Sequence, residues 1–341
     1  MRLLLTGGAG FVGSHVVEGV IKNTDWDIVI IDKLNYAGNL NRLSDIKLFN
    51  GKYYEPLFES KEGKRIKFVW HDMSAPISDT IHSMIGEVDY CWHLAAESHV
   101  ENSLSNPVAF AYNVVATTNL LHYLRNFQPN LKRYIGFNTD EVFGPAPEGV
   151  FFKETDKFYP SNPYSASKVG QWAMEYAFYK SYRMPIIITH SMNIFGERQD
   201  PEKFVPKVTR RVVKGEKIPI HGLAGNESSR CWVHAREVGG ALLFLNEKGV
   251  NGEVYNIVGE ERTVLNLANR ISRIITGKVL EESDLERIDF HSTRPGHDLR
   301  YALDGSKLLG LGFEYKMSLE QSFDKMVRWM VEDENKHWLN L

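Results

Sequence analysis

The chain has 341 residues, of which 43% are apolar and 24% charged, and its formal net charge is −3. This composition can build a full core, and it excludes a disordered chain, a disulfide-stapled mini-protein and a polybasic nucleic-acid surface spread over the whole protein. The length predicts about two folding units. Two cysteines, Cys91 and Cys231, cannot form a disulfide framework and predict a reduced, cytoplasmic location. No run reaches the ~18 apolar residues of a membrane span, so a membrane is not an expected partner. A nucleic acid is not expected either, because the net charge is close to zero.

The first half of the chain alternates short apolar runs with longer helical patterns. The runs are nearly continuous rather than alternating, as expected for strands that are covered on both faces. They predict strands at residues 3–5, 28–31, 66–70, 90–94, 134–137 and 186–189. Helices are predicted between them at residues 13–23, 107–126 and 167–182. The repeated strand–helix–strand order predicts an α/β fold with a doubly wound parallel sheet of the Rossmann type.

The rhythm changes in the second half of the chain. After about Asn193 the segments become shorter and richer in proline, glycine and charge, which predicts a smaller α/β substrate-binding lobe. Ser318, followed three residues later by Gln321, predicts the capped start of a last helix. Apolar residues recur at helical spacing along it, namely Leu319, Phe323, Met326, Val327 and Met330.

A glycine-rich turn follows the first predicted strand and opens a helix. Gly7, Gly10 and Gly13 allow a tight turn, close approach of the backbone to a pyrophosphate and close helix–strand packing. A phosphate at this position meets free N–H groups at the positive end of the helix. The second strand ends at Asp32, where a carboxylate accepts hydrogen bonds from ribose hydroxyls and repels a 2′-phosphate. The pattern predicts NAD as the cofactor, although the neighbouring Lys33 weakens the preference for NAD over NADP.

Tyr164 and Lys168 are four residues apart, which places a phenol and an ammonium on one face of a helix. We expect the ammonium charge to lower the pKa of the phenol, so that the tyrosine can take a proton from a sugar hydroxyl while hydride leaves the same carbon. Taken alone, this spacing is common by chance. Combined with the nucleotide turn, it predicts a dehydrogenation site.

Asp140 and Glu141 follow the predicted strand at 134–137. Doubly wound sheets gather their catalytic groups at the carboxyl ends of strands. Adjacent residues of a regular strand point to opposite faces, so the two carboxylates can share one substrate only if the backbone turns here. Gly144 and Pro145 make such a turn plausible. An isolated Asp-Glu pair would more often be a solvated acidic turn.

Together these residues resemble the extended short-chain dehydrogenase/reductase superfamily and, more narrowly, the nucleotide-diphosphate-glucose 4,6-dehydratases. The similarity covers nearly the whole chain, and the Asp-Glu pair and RPGHD are its most specific motifs. The matching stretches are TGGAGFVGSH from Thr6, DKLNYAGNL from Asp32, HLAAESHVENS from His93, NTDEVFG from Asn138, NPYSASK from Asn162, PEKFVP from Pro201 and RPGHDLRYALD from Arg294.

The resemblance implies a mechanism. Thr139, Tyr164 and Lys168 would oxidise the sugar at C4 with NAD, with Tyr164 accepting the hydroxyl proton. Glu141 would then remove the C5 proton as general base, and a protonated Asp140 would donate to the C6 hydroxyl so that it leaves as water. The hydride returns to C6, so NAD is a retained catalyst. Such paired carboxyls must hold different protonation states in one pocket.

The resemblance also implies the binding residues. For the cofactor they are Gly7, Gly10, Phe11, Val12, Gly13, Asp32, Lys33, Asn35, Asp72, Met73, Leu94, Ala95, Ala96, Tyr164 and Lys168. For the nucleotide-diphosphate sugar they are Ser98, His99, Asn193, Lys203, Phe204, His221, Arg230, Arg294 and His297. Guanidinium groups suit a diphosphate because they present paired donors. No metal is expected, because no histidine pair is arranged convincingly for one.

The predicted division of the chain follows from the same comparison. Residues 1–192, with a returning segment at about 230–260, are expected to form the NAD-binding domain. Residues 193–229 and about 261–315 would form the nucleotide-sugar-binding lobe, and residues 316–341 the C-terminal helix. The two long helices at 107–126 and 167–182 carry more apolar residues than one buried face needs, and the resemblance implies a homodimer through them.

Several positions depart from the family pattern and leave alternatives open. Asn138 replaces a serine, Phe195 and Glu197 replace tyrosine and proline, and His221 replaces a tyrosine common in bacterial dTDP enzymes. His221 resembles the eukaryotic UDP-glucose dehydratases, so UDP-glucose competes with dTDP-glucose as the substrate. A 4-epimerase or decarboxylase of the same superfamily is a second enzyme hypothesis, although those lack the Asp-Glu pair. A nucleotide-sensing scaffold without turnover is the non-enzymatic one.

Overall fold

The computed structural model describes residues 1–44, 57–59, 65–223, 226–288 and 300–341. Their strands, numbered in chain order, are β1 Arg2–Thr6, β2 Asp27–Asp32, β3 Leu57–Glu59, β4 Arg65–Trp70, β5 Tyr90–His93, β6 Arg133–Thr139, β7 Ile186–Ser191, β8 Asn193–Phe195, β9 Ile218–Leu223, β10 Asn226–Glu227, β11 Ser229–His234, β12 Val254–Ile257, β13 Glu260–Thr263 and β14 Leu285–Ile288.

Helices connect these strands. They are α1 Phe11–Asn23, α2 Asn41–Ser44, α3 Asp79–Ile85, α4 Val100–Ser105, α5 Pro107–Phe127, α6 Pro163–Tyr182, α7 Phe204–Lys214, α8 Ala235–Lys248, α9 Val264–Thr276, α10 Ser306–Gly310 and α11 Leu319–Val331. Short 3₁₀ segments occur at Asp140–Phe143, Glu282–Asp284 and Asp333–Leu339. Within these described ranges, no helix is both long and apolar enough to cross a membrane.

The main sheet has eight strands in the order β12-β7-β6-β5-β1-β2-β4-β3. Seven run parallel, and the edge strand β3 pairs antiparallel with β4. The strand order reverses between β1 and β5, which is where doubly wound sheets open a crevice at their carboxyl edge. The predicted α/β fold with a doubly wound parallel sheet is confirmed, and each predicted strand lies within or overlaps an observed one.

Two small three-stranded sheets complete the fold. One has the order β10-β9-β14 and the other β13-β11-β8. Strands β9 and β11 contribute Ile218, Ile220 and Trp232 to a core that also contains buried residues of α7, α9 and α11. Part of the chain after β7 thus shares a core of its own, whereas β12 returns to pair with β7 and α8 packs on α1.

Two further cores cover the faces of the main sheet. Helices α1 and α8 pack on each other and cover one face, where Leu3, Ile30 and Leu242 are buried. Helices α5 and α6 pack on each other and cover the second face, where Leu4, Leu121 and Tyr134 are buried. Burial on both faces explains why the strand sequences are continuously apolar.

Helix α6 begins four residues earlier than its periodicity indicates. The Asn162 side chain caps the helix by accepting from Ser165 N, and the Ser165 hydroxyl in turn accepts from Asn162 N. Pro163 occupies the first helical position. Polar residues at a cap carry no apolar periodicity, so the sequence pattern missed this first turn. The correction puts Tyr164 in the first turn of α6. The last helix starts as predicted, with a capping box between Ser318 and Gln321.

Candidate active site

A cavity of about 300 Å³ lies at the carboxyl edge of the main sheet. The ends of β2, β6 and β7 reach it through Asp32, Thr139 and Ser191, and the segment after β5 reaches it through Leu94. The carboxyl ends of parallel strands meet at one edge, so residues far apart in sequence share this space.

The glycine-rich turn brings backbone against backbone at the cavity floor. Gly7 has a φ of +75°, and a Cβ built on it would lie 2.8 Å from Ala95 N. A Cβ on Gly13 would overlap the Gly7 carbonyl oxygen, so only glycine fits there. Helix α1 starts after Gly10 with no side-chain cap and no acidic residue in its first turn. Its first N–H groups are therefore available for an anion.

Asp32 ends β2 with its carboxylate fixed by backbone donors. Ala9 N donates to Oδ2 at 3.0 Å, and Leu34 N donates to Oδ1 at 2.9 Å. Burial raises the pKa of Asp32 from its ordinary value, and these two hydrogen bonds oppose that rise. Lys33 points to Glu97, with 2.8 Å between Nζ and Oε1. The ammonium charge near Asp32 is thus already compensated by a carboxylate.

The predicted cofactor residues all line this cavity. They are Gly7, Gly10, Phe11, Val12, Gly13, Asp32, Lys33, Asn35, Asp72, Met73, Leu94, Ala95, Ala96, Tyr164 and Lys168. The glycine cradle, the uncapped helix start and the carboxylate at the end of β2 fit the pyrophosphate and ribose of a dinucleotide.

Tyr164 and Lys168 both face the cavity from α6, one turn apart. The Lys168 ammonium donates to Phe137 O and to Gln171 Oε1, each at 2.7 Å. Burial, followed by the negative charge of Glu141, raises the pKa of Tyr164 far above its ordinary value. The expectation that the Lys168 ammonium lowers this pKa stays a prediction.

Asp140 and Glu141 begin the 3₁₀ turn that follows Thr139, so the backbone turns where sharing one substrate requires it. The Thr139 hydroxyl donates to Asp140 Oδ1 at 3.0 Å, and the amide of Asn162 donates to Glu141 Oε2 at 3.1 Å. Asp140 Oδ2 is buried and has no hydrogen-bond partner among the described residues. Gly144 ends the turn at a φ of +75°.

Both carboxyls resist ionisation. Burial raises the pKa of Asp140 to about 6, and burial together with the Asp140 charge raises the pKa of Glu141 to about 7. The charge of the buried Arg230 pulls both pKa values down. The two pKa values lie too close together to place the proton on one carboxyl, so a protonated Asp140 beside an ionised Glu141 stays a prediction. Two like charges this close favour a state with one shared proton.

The predicted substrate residues are more scattered. Ser98 and Lys203 line the cavity, and burial lowers the pKa of Lys203. His99 caps α4, and its Nε2 lies 3.6 Å from Glu202 Oε2.

Four other predicted substrate residues do not line the cavity, namely Asn193, Phe204, His221 and Arg230. Asn193 begins β8, and Phe204 begins α7, where it packs on Trp232 with 5.7 Å between the ring centres. Arg230 on β11 acts electrostatically on His221 of β9, whose pKa is lowered chiefly by burial. Arg294 and His297 lie outside the described residues.

Glu97 and Asn113 are among the polar residues of the site that escaped the sequence patterns. Glu97 accepts from Lys33 and from Asn35 Nδ2, the latter at 2.8 Å. Asn113, buried in the middle of α5, accepts from Glu97 N at 2.8 Å and donates to Ser167 Oγ at 3.0 Å. A charged residue just after Leu94–Ala96 was the available signal for Glu97; Asn113 had none, because one polar residue inside a helix marks no motif.

A family model described as GDP-mannose 4,6 dehydratase matches residues 4–326. The chain belongs to this family. Among curated members of similar sequence, dTDP-glucose 4,6-dehydratase of Salmonella typhimurium is 36% identical over 362 residues, covering 100% of this chain and 95% of the relative. A trifunctional UDP-glucose 4,6-dehydratase of Arabidopsis thaliana is 34% identical over 343 residues, covering 99% of this chain and 48% of the relative.

The GDP-mannose 4,6 dehydratase family fold is also seen in solved structures. The dTDP-glucose 4,6-dehydratase DesIV of Streptomyces venezuelae, crystallised with NAD and dTDP, superposes with a TM-score of 0.84 at 30% identity. The superposition covers 99% of this chain and 98% of that one. The resemblance inferred from the sequence motifs is thereby confirmed.

We expect Gly13→Ala to weaken NAD binding at least tenfold, which is ~1.4 kcal/mol, because the new methyl group displaces the Gly7 carbonyl and with it the turn. Titration calorimetry with NAD measures the effect. Gly19→Ala in the same helix is the matched control, because a Cβ there meets nothing within 4 Å. The control should bind NAD normally and gain up to ~1 kcal/mol of stability. Equal NAD affinity in the two variants would contradict the assignment of this turn.

Proposed function

We propose that the protein is an NAD-dependent nucleotide-diphosphate-glucose 4,6-dehydratase, a hydro-lyase of deoxysugar biosynthesis. It converts dTDP-glucose or UDP-glucose to the 4-keto-6-deoxy sugar nucleotide and water. The observation that carries the proposal is a carboxyl pair, the buried Asp140 and the partly buried Glu141, directly after Thr139 of the cofactor cavity. Relatives called dTDP-glucose 4,6-dehydratase, at 34–36% identity over the full chain, support it.

The cofactor assigned to the cavity is NAD. Asp32 is suited to two ribose hydroxyls and repels a 2′-phosphate, and the Lys33 charge that would attract such a phosphate is paired with Glu97. When bound, NAD supplies the hydride acceptor for oxidation of the sugar at C4.

Thr139, Tyr164 and Lys168 are assigned to the oxidation. Tyr164 takes the proton of the C4 hydroxyl, and the Thr139 side chain lowers the pKa of this phenol. Because burial and the Glu141 charge raise the pKa of Tyr164, this transfer depends on Lys168 remaining an ammonium.

The carboxyl pair is assigned to the loss of water. A C4 ketone acidifies the C5 proton, which Glu141 removes, and Asp140 protonates the C6 hydroxyl as it leaves. The pKa values of about 6 and about 7 let the pair carry one proton near neutral pH, so the two carboxyls need not both be charged. Arg230 limits the rise of both values, so neither carboxyl is locked in its neutral form.

The nucleotide-diphosphate end of the substrate is assigned to Lys203, Arg230 and His221, with Arg294 and His297 predicted to join them. The assignment rests on charge, since Lys203 and Arg230 act on Glu141 from the lobe that follows β7. The base is assigned as thymine or uracil, because dTDP-glucose relatives at 34–36% identity and UDP-glucose relatives at 33–34% identity both resemble this chain.

Purified protein incubated with dTDP-, UDP-, GDP- and CDP-glucose together should remove water from the dTDP or the UDP sugar. Mass spectrometry of the nucleotide sugars measures this directly. Loss of water from none of them would refute the dehydratase proposal. Isomerisation at C4 without loss of water would favour the epimerase alternative, and a thermal shift with NAD but no product would favour a binding scaffold.

Glu141→Gln should lower kcat for water loss by about 10²–10⁴, because the amide cannot remove the C5 proton. NAD affinity should be unchanged, since Glu141 is not among the residues that line the cofactor cavity. Glu148→Gln, an exposed carboxylate seven residues on, is the matched control and should turn over normally. Normal turnover by Glu141→Gln would remove this residue from the mechanism.

We infer that two copies of the chain associate through α5 and α6. Along α5, Val108, Tyr112 and Val115 are 68%, 51% and 41% exposed and lie on one stripe of the helix. On α6, Tyr176 and Tyr182 are also partly exposed. An apolar and aromatic stripe along the longest helices suits a second copy of the same surface.

Light scattering after size exclusion should give the mass of a dimer for the wild type. The double change Val108→Glu with Val115→Glu should give a monomer, because it buries two unpaired carboxylates in the contact. Val279→Glu, at a position 49% exposed and outside these two helices, should remain dimeric. A monomeric wild type, or a dimeric double variant, would argue against this surface.

We also infer a cytoplasmic location. Cys91 and Cys231 are both buried and unpaired, and burial raises the pKa of each thiol. Unpaired thiols are usual where the surroundings are reducing. A nucleotide-sugar substrate, made inside the cell, fits the same compartment.

A further inference from the structure

The ammonium of Lys168 is held by neutral acceptors. The residue is only 3% exposed, and its Nζ donates to the Phe137 carbonyl and to the side-chain oxygen of Gln171. Neither acceptor carries a charge. A buried ammonium without a nearby anion loses its proton readily, because burial penalises the charged form.

A fully buried carboxylate lies at the far end of the same row of side chains. Glu175 is 0% exposed, and Lys168, Gln171 and Glu175 follow each other at i, i+3 and i+7 along α6. Gln171 Nε2 donates to Glu175 Oε1 at 3.3 Å. The Gln171 amide therefore accepts from the ammonium with its oxygen and donates to the carboxylate with its nitrogen.

Strand β6 is shaped to accept this carboxylate. Tyr134 OH donates to Glu175 Oε1 at 2.8 Å. A Cβ on Gly136 would overlap the carboxyl group, so Glu175 occupies the space that any other residue at 136 would fill. Glu175 Oε2 is buried and has no hydrogen-bond partner among the described residues. Burying an anion in this way costs folding stability, because its desolvation penalty would be avoided by a well-packed apolar side chain. Its presence here therefore points to an electrostatic role.

Other titratable groups in this layer do not supply the missing counter-charge. From β5, Cys91 feels the Glu175 charge and is held as a thiol by burial. His93 and His190 are kept neutral, because burial and the Lys168 charge lower their pKa values, to about 3 for His93 and about 4 for His190.

The remaining groups around Lys168 and Glu175 are either uncharged or act on Tyr164. Helix α5 presents Asn113 and Thr117, which bond Ser167 Oγ and His93 Nε2. The turn after β6 carries Asp140 and Glu141, whose charges act on Tyr164.

We propose that Glu175 is a positioning residue for catalysis: through Gln171, it supplies the negative charge that holds Lys168 as an ammonium beside Tyr164. The inference deepens the proposed function, since it names what maintains the charge on which proton transfer to Tyr164 depends. Burial lowers the pKa of Lys168 and raises that of Glu175, and the attraction between them opposes both shifts. Removing the carboxylate charge leaves the burial penalty on Lys168 uncompensated.

Glu175→Gln should move the alkaline limb of the kcat profile to lower pH by about one unit, the size expected for loss of one nearby charge. One unit above the wild-type limb, kcat should be about ninefold below wild type, whereas at low pH the two should agree because Glu175 is neutral there. Glutamine keeps the bonds with Tyr134 and Gln171, so folding should survive. Thermal unfolding checks this. An unmoved limb in a folded variant would overturn the proposal.

Relocating the charge separates electrostatics from packing. In Gln171→Glu with Glu175→Gln, the new carboxylate stands where the Gln171 oxygen accepts from Lys168, and the limb should return to the wild-type pH or above it. A limb that stays low would mean that Glu175 only packs, which overturns the proposal. Glu237→Gln is the matched control, a buried carboxylate on α8 that accepts from Lys316 N at 3.0 Å, and its limb should not move.

NAD affinity supplies a readout that needs no turnover. Lys168 lines the cofactor cavity, so affinity measured by calorimetry should fall as the ammonium is lost, at lower pH in Glu175→Gln than in wild type. Coincident affinity profiles would overturn the proposal. If wild-type protein dehydrates no sugar nucleotide, the proposed function fails, while this comparison still decides the role of Glu175.

Discussion

Burial of ionisable side chains at the carboxyl edge of the parallel sheet is the constraint on which the rest of the site depends. Asp140, Lys168 and Glu175 are each less than 5% exposed, so each must be held by hydrogen bonds from fixed elements. The strand ends, the 3₁₀ turn and the first turns of α6 supply those bonds. The same burial moves pKa values toward neutrality, which is where acid–base chemistry at physiological pH needs them.

Much of the fold follows from sequence because its strongest signals are local. Continuous apolar runs mark the buried strands, and a serine with a glutamine three residues later marks the start of α11. The two small sheets and the antiparallel edge strand β3 were not predicted. Their strands are short, from two to six residues, so no local period reveals them, and β8, β13 and β14 also pair with partners distant in sequence. The proposed division into domains stays a prediction.

The site shows the same limit at the level of single residues. Gly7, Gly13 and Asp32 could be recognised because their geometric tasks fix both residue type and spacing. The rise in the pKa of Tyr164 and of Glu141 could not, because desolvation depends on what the fold packs around them. The role of Glu175 could not be predicted for a related reason. Its partner Tyr134 and the space above Gly136 belong to strand β6, whereas Glu175 lies on helix α6.

Strand β12 gives the chain a particular order of assembly. It pairs with β7, yet all of β8 to β11 and two helices lie between them in sequence. A nascent chain that has emerged only through β7 therefore leaves that strand as an unpaired apolar edge, open to association with other chains. Non-local pairing of this kind slows folding. The main sheet thus cannot be completed during synthesis until β8 to β11 have also been made.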